Sequence, residues 1–224
     1  MILVHHLNNS RSQRVLWALE ELELAYEIKA YARDKKTMLA PPELKGVHPL
    51  GLSPVVEHRP DDADAVVVAE SGAILSYLSE IADGRLRPMG GEDGRACTYW
   101  LHYAEGSLMP LLLLKLVMTQ ISGPKVPFLV RPIAKAIAGQ VNGAFTDPRI
   151  ALHLDVIDAH LGKSRWFVGD TLSIADVQMS FPLLAAAHRT GLAKRTNIAA
   201  WLDRVQSRPA FVAAVAKGGP IEFD

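Results

Sequence analysis

The sequence predicts a mixed α/β domain followed by an all-helical domain, within a chain of 224 residues. Strand-like and helical apolar patterns alternate over residues 1–83. A stretch rich in Gly, Arg and Pro then covers 84–94, and no strand-like alternation follows it. We therefore expect an α/β domain at 1–83, a linker at 84–94 and a helical domain at 95–224.

The first domain is predicted to have the element order β-α-β-α-β-β-α. Its first three elements form a βαβ unit, whose two strands should be parallel. Two later strands flank a turn at 59–62 and predict an antiparallel hairpin. The predicted segments are the strand 2–7, a helix with apolar residues at 15, 16, 19 and 22, the strand around 26–30, a short helical piece at Pro41-Pro42, the strands 53–57 and 65–68, and a helix opened by Glu70-Ser71.

The second domain shows helical spacing of apolar residues throughout. Ser173 with Asp176 three residues later is a capping box, which predicts a helix start there. The predicted helices run through 99–120, from about 127 to 142, from Asp147-Pro148 onward, from Ser173 onward, and around 198–205, where Arg208-Pro209 ends the last one.

Composition excludes several classes of partner. The 24 basic residues balance 24 acidic ones, so no excess of positive charge points to nucleic acid or to an anionic membrane surface. The most apolar run, 108–118, is interrupted by Pro110 and Lys115 and is too short to cross a bilayer, which predicts a buried helix. We expect a small molecule, another subunit, or both as partners.

Cysteine and histidine usage bounds the chemistry. The single cysteine, Cys97, excludes a disulfide within the chain, fits a reducing compartment and is expected to be buried. No export signal is visible at the N-terminus, so we expect the cytoplasm. His5 and His6 alternate across a strand, and His153 and His160 have no third ligand at usable spacing, so no metal site is predicted.

The first candidate for chemistry is Ser10, which stands in the polar turn between the first strand and the first helix. The N-terminus of a helix presents free N–H groups and favours negative charge, so this junction can hold an anion. The alternative is that Ser10 or Ser12 only caps the helix, which is the commonest role of serine at such a position.

Two further pairs of residues occupy comparable positions. Ser53-Pro54 starts a strand, where a cis bond would turn the backbone outward to pair with an extended peptide. A trans proline that protects a sheet edge is the alternative. Glu70-Ser71 starts a helix and could hold the ammonium and carboxylate of an amino acid, or could simply be a cap.

Taken together, these motifs resemble the cytosolic glutathione transferases, and the resemblance covers essentially the whole chain. The segments Asn8 to Arg14 and Met38 to Leu44 are similar to bacterial and fungal members that use serine. The resemblance implies a thioredoxin-like N-terminal domain (βαβαββα) followed by an all-α bundle. It also implies glutathione as co-substrate, no metal, and a homodimer.

The resemblance also assigns residues to the glutathione site. Ser10 matches the donor to the glutathione sulfur, and Ser53, before a cis Pro54, matches the residue whose backbone pairs with the cysteinyl part. Leu52 stands where relatives often have a lysine for the glycyl carboxylate, so His48 or Lys45 is expected to replace it. The glutathione-binding residues implied are Asn9, Arg11, His48, Leu52, Ser53, Pro54, Glu70 and Ser71.

The implied activity is attack of the glutathione thiolate on a small hydrophobic electrophile. A free thiol is only about 3% ionised at pH 7, so the main task is to stabilise the anion. Tyr99, Tyr103 and Leu111 are expected to line the electrophile site, with ordinary core or subunit contact as the alternative. The other functions considered are peroxide reduction or isomerisation on the same site, and a non-catalytic binding or regulatory module.

Overall fold

The computed structural model describes residues 1–61, 64–124 and 126–222. Its sheet has the strand order β2-β1-β3-β4, with β1 at Ile2–Leu7, β2 at Tyr26–Tyr31, β3 at Val55–His58 and β4 at Val66–Ala69. β1 pairs with β2 in parallel, and the other two pairs are antiparallel. The predicted parallel unit and hairpin are both confirmed, although Asp62 of the predicted turn 59–62 lies outside the described residues.

Two α-helices pack against this sheet, α1 at Ser12–Glu21 and α2 at Ser71–Ile81. The short helical piece expected at Pro41-Pro42 is a 3₁₀ helix, Pro42–Gly46. Because its only buried side chain is Leu44, it lacks the apolar stripe that a longer α-helix needs. The thioredoxin-like order of elements in the first domain is otherwise as predicted.

Seven α-helices build the rest of the described chain. Six of them pack with α1 and α2 into one apolar core, to which the helix Arg131–Val141 contributes no residue. The first begins at Gly91, inside the predicted linker and well before residue 99. The helices are α3 at Gly91–Tyr103, α4 at Met109–Ile121, α5 at Arg131–Val141, α6 at Asp147–Leu161, α7 at Ile174–Thr190, α8 at Thr196–Gln206 and α9 at Pro209–Gly218.

Prolines explain where the predicted helix boundaries differ. A π-helical turn at Ala104–Leu108 joins α3 to α4, and another at Asn142–Thr146 joins α5 to α6. Pro110 and Pro148 follow these turns, so the wider turn accommodates a ring that would clash with the carbonyl four residues earlier. α6 begins at Asp147, as predicted, and the π-helical turn joins it to α5 without a break. Pro209 ends α8 as predicted but also begins α9, which the sequence analysis missed.

The continuous helical run Gly91–Ile121 is long and apolar enough to cross a membrane by length and composition alone. Only 22% of its most apolar window is buried, so the expectation of a buried helix over 108–118 is wrong for its outer face. Met109 and Leu112 are buried, whereas Leu113 and Val117 are exposed. A helix packed into a protein core meets the same length and composition criteria as a membrane-spanning helix. This run also carries Glu105, which forms an ion pair with Arg14.

The predicted capping box at the start of α7 is present. One Asp176 oxygen accepts from the Ser173 N–H and hydroxyl, at 3.0 and 2.9 Å. The other accepts from the Phe167 N–H at 2.9 Å and the Trp201 indole N–H at 3.1 Å. Burial raises the pKa of Asp176 to about 6, against the opposing effect of these donors. The carboxylate thus ties α7 to α8 and to the loop before it.

Candidate functional site

The ends of β1, β2 and β3 and the starts of α1 and α2 meet around a cavity of about 390 Å³, called the Ser10 cavity below. Eight of the residues singled out in the sequence come together there. The lining residues are Leu7, Ser10, Arg11, Arg33, Leu39, Ala40, His48, Leu50, Leu52, Ser53, Pro54, Ala69, Glu70, Ser71 and Glu105.

Ser10 lines the cavity at its inner end and is 5% exposed. Its Oγ accepts the N–H of Ser12 at 3.1 Å and lies 2.7 Å from the Ser12 hydroxyl. Ser10 therefore accepts a capping hydrogen bond from the first residue of α1, and it also lines the cavity. The two interpretations of this serine are compatible.

Asn9 does not line the cavity. It has a φ of 49°, a left-handed conformation that asparagine tolerates. Its side-chain Oδ1 accepts the backbone N–H of Glu222 at 2.9 Å. The side-chain oxygen of Asn9 thus holds the C-terminal segment against the turn.

The Ser53-Pro54 bond is cis. The Ser53 hydroxyl donates to the carbonyl of His5 at 2.8 Å, which fixes this residue to β1. Within the described residues, the backbone N–H and C=O of Ser53 make no hydrogen bond. An extended peptide in the cavity could pair with them as an added strand.

Glu70 and Ser71 begin α2 at the other end of the cavity. Glu70 has φ 70° and ψ 120°, a conformation that L-residues rarely adopt. Its carboxylate is exposed, whereas Ser71 is buried and accepts a hydrogen bond from Gln178 Nε2 at 3.4 Å. The pair offers an acceptor for an ammonium next to a helix N-terminus that favours a carboxylate.

The cavity lining includes two nitrogen-bearing side chains that could take the place of the missing lysine at Leu52. His48 and Arg33 both line the cavity, whereas Lys45 does not. Arg33 donates to the carbonyls of Asn8, Met38 and Asn9 at 3.2, 2.9 and 3.3 Å. A guanidinium has five N–H groups, so two remain for a ligand.

Charged residues also connect the cavity to the helical domain. Glu105 accepts from Arg11 Nε at 3.0 Å and from Arg14 Nη2 at 2.5 Å. Burial lowers the pKa of Arg14 to about 10, an effect that Glu105 partly offsets. Burial alone would raise the pKa of Glu105, but Arg14 and Arg11 bring it below its usual value. Arg11 is thereby held at the mouth of the cavity.

The three residues expected to line the electrophile site are not part of the Ser10 cavity, and their role at such a site stays a prediction. Tyr103 is buried in an aromatic cluster, where it contacts Trp100 and His153. Tyr99 is exposed beside the start of α3 and packs on the same cluster. Leu111 is half-buried against the core. None of the three lines the Ser10 cavity, and Tyr103 matches the core alternative.

Sequence reasoning missed Arg33 and Glu105. A signal for Arg33 was available, because the carboxyl ends of parallel strands meet at one sheet edge and Arg33 follows β2 as Asn8 follows β1. Glu105 had no such signal, since its ion pair with Arg14 spans 91 residues.

Among the residues that the structure describes, no three His, Cys, Asp or Glu side chains lie close enough together to bind a metal ion.

Family models match both domains of the chain. The model described as the N-terminal domain of glutathione S-transferase matches residues 1–80, and that of the C-terminal domain matches residues 145–209. Glutathione S-transferase 3 of Schizosaccharomyces pombe is 36% identical over 221 residues, which cover 97% of this chain and 88% of that protein. Glutathione S-transferase 1 of Saccharomyces cerevisiae is 33% identical over 223 residues, which cover 97% and 95%.

Solved structures show the same architecture. A glutathione S-transferase from Actinobacillus pleuropneumoniae has a TM-score of 0.78 at 29% identity, over 100% of this chain and 95% of that one. A glutathione transferase family member from Pseudomonas fluorescens, with two glutathione bound, has a TM-score of 0.74 over 96% of this chain and 92% of that one. At 22% identity the second likeness shows the fold alone. With both domains and two close fungal relatives matched, the chain belongs to the glutathione S-transferase family.

Proposed function

We propose that this protein transfers glutathione to small hydrophobic electrophiles and that Ser10 stabilises the attacking thiolate. The observation that carries the proposal is that Ser10, the open backbone of Ser53 and the Glu70-Ser71 pair all face one cavity. Its volume of about 390 Å³ is in the range of small-molecule sites. Family membership supports glutathione as the ligand, as do relatives whose solved structures contain it.

The energetics support serine as sufficient for the first step. A fall of about 2 in the pKa of a thiol corresponds to about 2.7 kcal/mol in favour of the anion. A hydrogen bond to a charged group supplies roughly 1.5–3 kcal/mol, and a nearby helix N-terminus adds roughly 0.3–1 kcal/mol. Ser10, at the start of α1, combines both effects.

The rest of the cavity suits the ends of the tripeptide. We place the cysteinyl backbone against Ser53, the γ-glutamyl ammonium at Glu70 and the γ-glutamyl carboxylate at the N-terminus of α2. The glycyl carboxylate is assigned to Arg33, which keeps two free N–H groups, with His48 beside it. The exposed Leu39, Leu50 and Leu52 form an apolar rim.

The test is conjugation kinetics with an aryl halide as electrophile, for the wild type and Ser10→Ala. We expect kcat/KM to fall by about 10- to 100-fold, which corresponds to the loss of roughly 1.5–3 kcal/mol. Ser207→Ala, at the exposed end of α8, is the control and should behave like the wild type. Equal kinetics for Ser10→Ala and the wild type would remove Ser10 from the mechanism.

Peroxide reduction or isomerisation could use the same thiolate, and parallel assays on an organic hydroperoxide rank peroxide reduction against conjugation.

A non-catalytic binding module is the second candidate class. It predicts neither retention on immobilised glutathione nor an ultraviolet thiolate signal. The pairing of Ser10 with an open Ser53 backbone favours catalysis, since a scaffold has no need of a donor at the sulfur position.

We further propose a cytoplasmic homodimer. The single cysteine, Cys97, is buried and forms no disulfide, which suits a reducing compartment. Val67 on β4 and Tyr99 on α3 are apolar side chains that are about half exposed in the isolated chain. Contact with a second subunit would cover them, which supports a dimer. Light scattering tests the oligomeric state, and a monomer at micromolar concentration would contradict it.

A further inference from the structure

A line of hydrogen-bonding side chains runs from Ser10 into the protein. The Ser10 Oγ lies 2.7 Å from the Ser12 Oγ, which lies 2.8 Å from His6 Nδ1. The other ring nitrogen of His6, Nε2, lies 2.8 Å from the carbonyl oxygen of Gly218 in α9. Ser10, Ser12 and His6 are 5%, 0% and 4% exposed, so the line is shielded from solvent beyond the cavity.

The geometry sets the direction of each proton along this line. A carbonyl oxygen only accepts, so Nε2 of His6 carries the proton that it donates to Gly218. Burial lowers the pKa of His6, so the ring is neutral while the cavity is empty and Nδ1 is then an acceptor. The Ser12 hydroxyl is the only donor within reach of Nδ1 among the described side chains, and its alternative acceptor, the Leu7 carbonyl, is more distant at 3.1 Å.

The direction of the Ser10 proton follows from that of Ser12. Because the Ser12 hydroxyl donates its proton to His6, its oxygen can only accept from the Ser10 hydroxyl. The same oxygen also accepts the Leu7 N–H at 3.2 Å. Ser10 therefore donates inward while the site is empty. Its oxygen accepts the Ser12 N–H and keeps a second lone pair for a donor in the cavity.

We propose that Ser10, Ser12 and His6 form a proton relay that carries the thiol proton of glutathione to Nδ1 of His6. This inference rests on the proposed function. The S–H proton passes to the Ser10 oxygen as the Ser10 proton passes to Ser12 and the Ser12 proton passes to His6. A thiolate and an imidazolium result, and the net charge does not change.

The shift reverses every hydrogen bond in the line without moving a heavy atom. His6 Nδ1 now donates to Ser12, Ser12 donates to Ser10, and Ser10 donates to the new thiolate. Ser10 thus becomes the donor that the anion requires at the moment the anion forms. Ser12 and His6 act through Ser10 and are positioning residues.

Few other charges face the His6 ring. Across it lie the neutral Gln13 and Leu16 of α1, and a Cβ at Gly218 would come within 3.0 Å of His6 Cε1 and 2.5 Å of Leu16 Cδ1. Glycine at 218 is therefore what lets α9 approach the ring.

The titratable groups on the neighbouring elements are engaged elsewhere. Arg14 binds Glu105, Lys217 binds Glu20, and His5, on the other face of β1, binds Tyr31 and Glu57. The neighbour of His6 on β2 is the uncharged Ala30. Among the described residues, His6 is thus the only titratable end of this line.

The test counts protons. Glutathione binding is measured by calorimetry near pH 7 in buffers of different ionisation enthalpy, while ultraviolet absorbance reports the thiolate formed. In the wild type, thiolate should form with almost no proton released to the buffer. His6→Gln keeps an amide that can donate to Gly218 but has no basic nitrogen, so about one proton should be released per thiolate. His58→Gln, whose ring binds the Tyr77 hydroxyl, is the control and should match the wild type.

Ser12 supplies a second pair of variants that leaves His6 in place. Ser12→Ala breaks the relay and should release a proton for each thiolate formed, as His6→Gln does, whereas Ser12→Thr restores the hydroxyl and the wild-type count. If His6→Gln does not fold, the Ser12 pair decides the question. Release of about one proton per thiolate by the wild type, or a wild-type count for Ser12→Ala, would overturn the relay. A wild type that binds no glutathione would instead refute the proposed function, and the relay with it.

Discussion

Arg14 on α1 and Glu105 in the π-helical turn form an ion pair that joins the two domains, with 2.5 Å between Arg14 Nη2 and Glu105 Oε1. The Arg14 side chain is 1% exposed, and its Nη1 donates to the Gln178 carbonyl of α7 at 2.7 Å. The same carboxylate holds Arg11 at the mouth of the cavity. One acidic residue thus links domain packing to the shape of the site.

Removal of that carboxylate should destabilise the protein strongly. Glu105→Gln leaves the Arg14 guanidinium buried without its counter-charge, and we expect a loss of about 3 kcal/mol in the free energy of unfolding. Urea denaturation measures this loss. Glu80→Gln, an exposed glutamate on α2, is the control and should change stability by less than about 0.5 kcal/mol. A small effect at Glu105 would show that the ion pair does not hold the domains together.

The same pair predicts a pH dependence of stability. The pKa of Glu105 in the folded protein lies below its ordinary value of 4.5, so its contribution is complete above pH 4.5 and is lost as the pH falls through the folded pKa. Unfolding curves between pH 6 and pH 3 should therefore show a stability loss in the wild type. That component should be absent in Glu105→Gln, and parallel curves for the two proteins would contradict it.

Asp176 is expected to tolerate no substitution. In Asp176→Asn an amide NH₂ would face two of the four donors that the carboxylate now accepts, and we expect a loss of about 2 kcal/mol in stability. Thermal unfolding measures the change. Asp170→Asn, on an exposed loop, is the matched control. Equal melting temperatures for the two variants would refute this account of the start of α7.

The assignment of the glycyl carboxylate to Arg33 is tested with glutathione and its glycine amide. The wild type should prefer glutathione, because the guanidinium binds a carboxylate more strongly than an amide. Arg33→Gln should lose about 10-fold in affinity for glutathione, with little change for the amide. Calorimetry on both ligands provides the comparison. Preference for glutathione that survives in Arg33→Gln and is lost in His48→Gln would move the role to His48.

The order of strands and helices in this protein is easier to predict from the sequence than the contacts between its charged residues. Alternating apolar patterns indicate the order of strands and helices, and the helix starts at Ser71 and Ile174 follow from local capping residues. Pro209 was ambiguous, because a proline ends one helix and begins another equally well. Pro148 marked the start of α6 correctly, but neither it nor Pro110 revealed the π-helical turn before it, because periodicity alone does not show such a turn.

The residues of the candidate site also fall into two groups, those that local sequence patterns indicate and those that they do not. Ser10, Ser53 and Glu70 stand at element boundaries that local patterns reveal. Arg33 follows β2 at the sheet edge where the turn after β1 also lies, so the predicted topology could have indicated it. Glu105 reaches the cavity through tertiary packing, and no spacing in the sequence connects it with Ser10. Tyr99 and Tyr103 were expected at the electrophile site because they lie early in the helical domain, and packing among the helices takes Tyr103 into the core.

The pKa of the bound glutathione thiol tests the central claim most directly. It is measured by ultraviolet titration of the saturated complex. For the wild type we predict a value roughly 2 below the free thiol's value of about 8.5, and for Ser10→Ala a value within about 1 of the free thiol. Equal values for the two proteins, or an unshifted thiol in the wild type, would contradict the role of Ser10 as the residue that stabilises the thiolate.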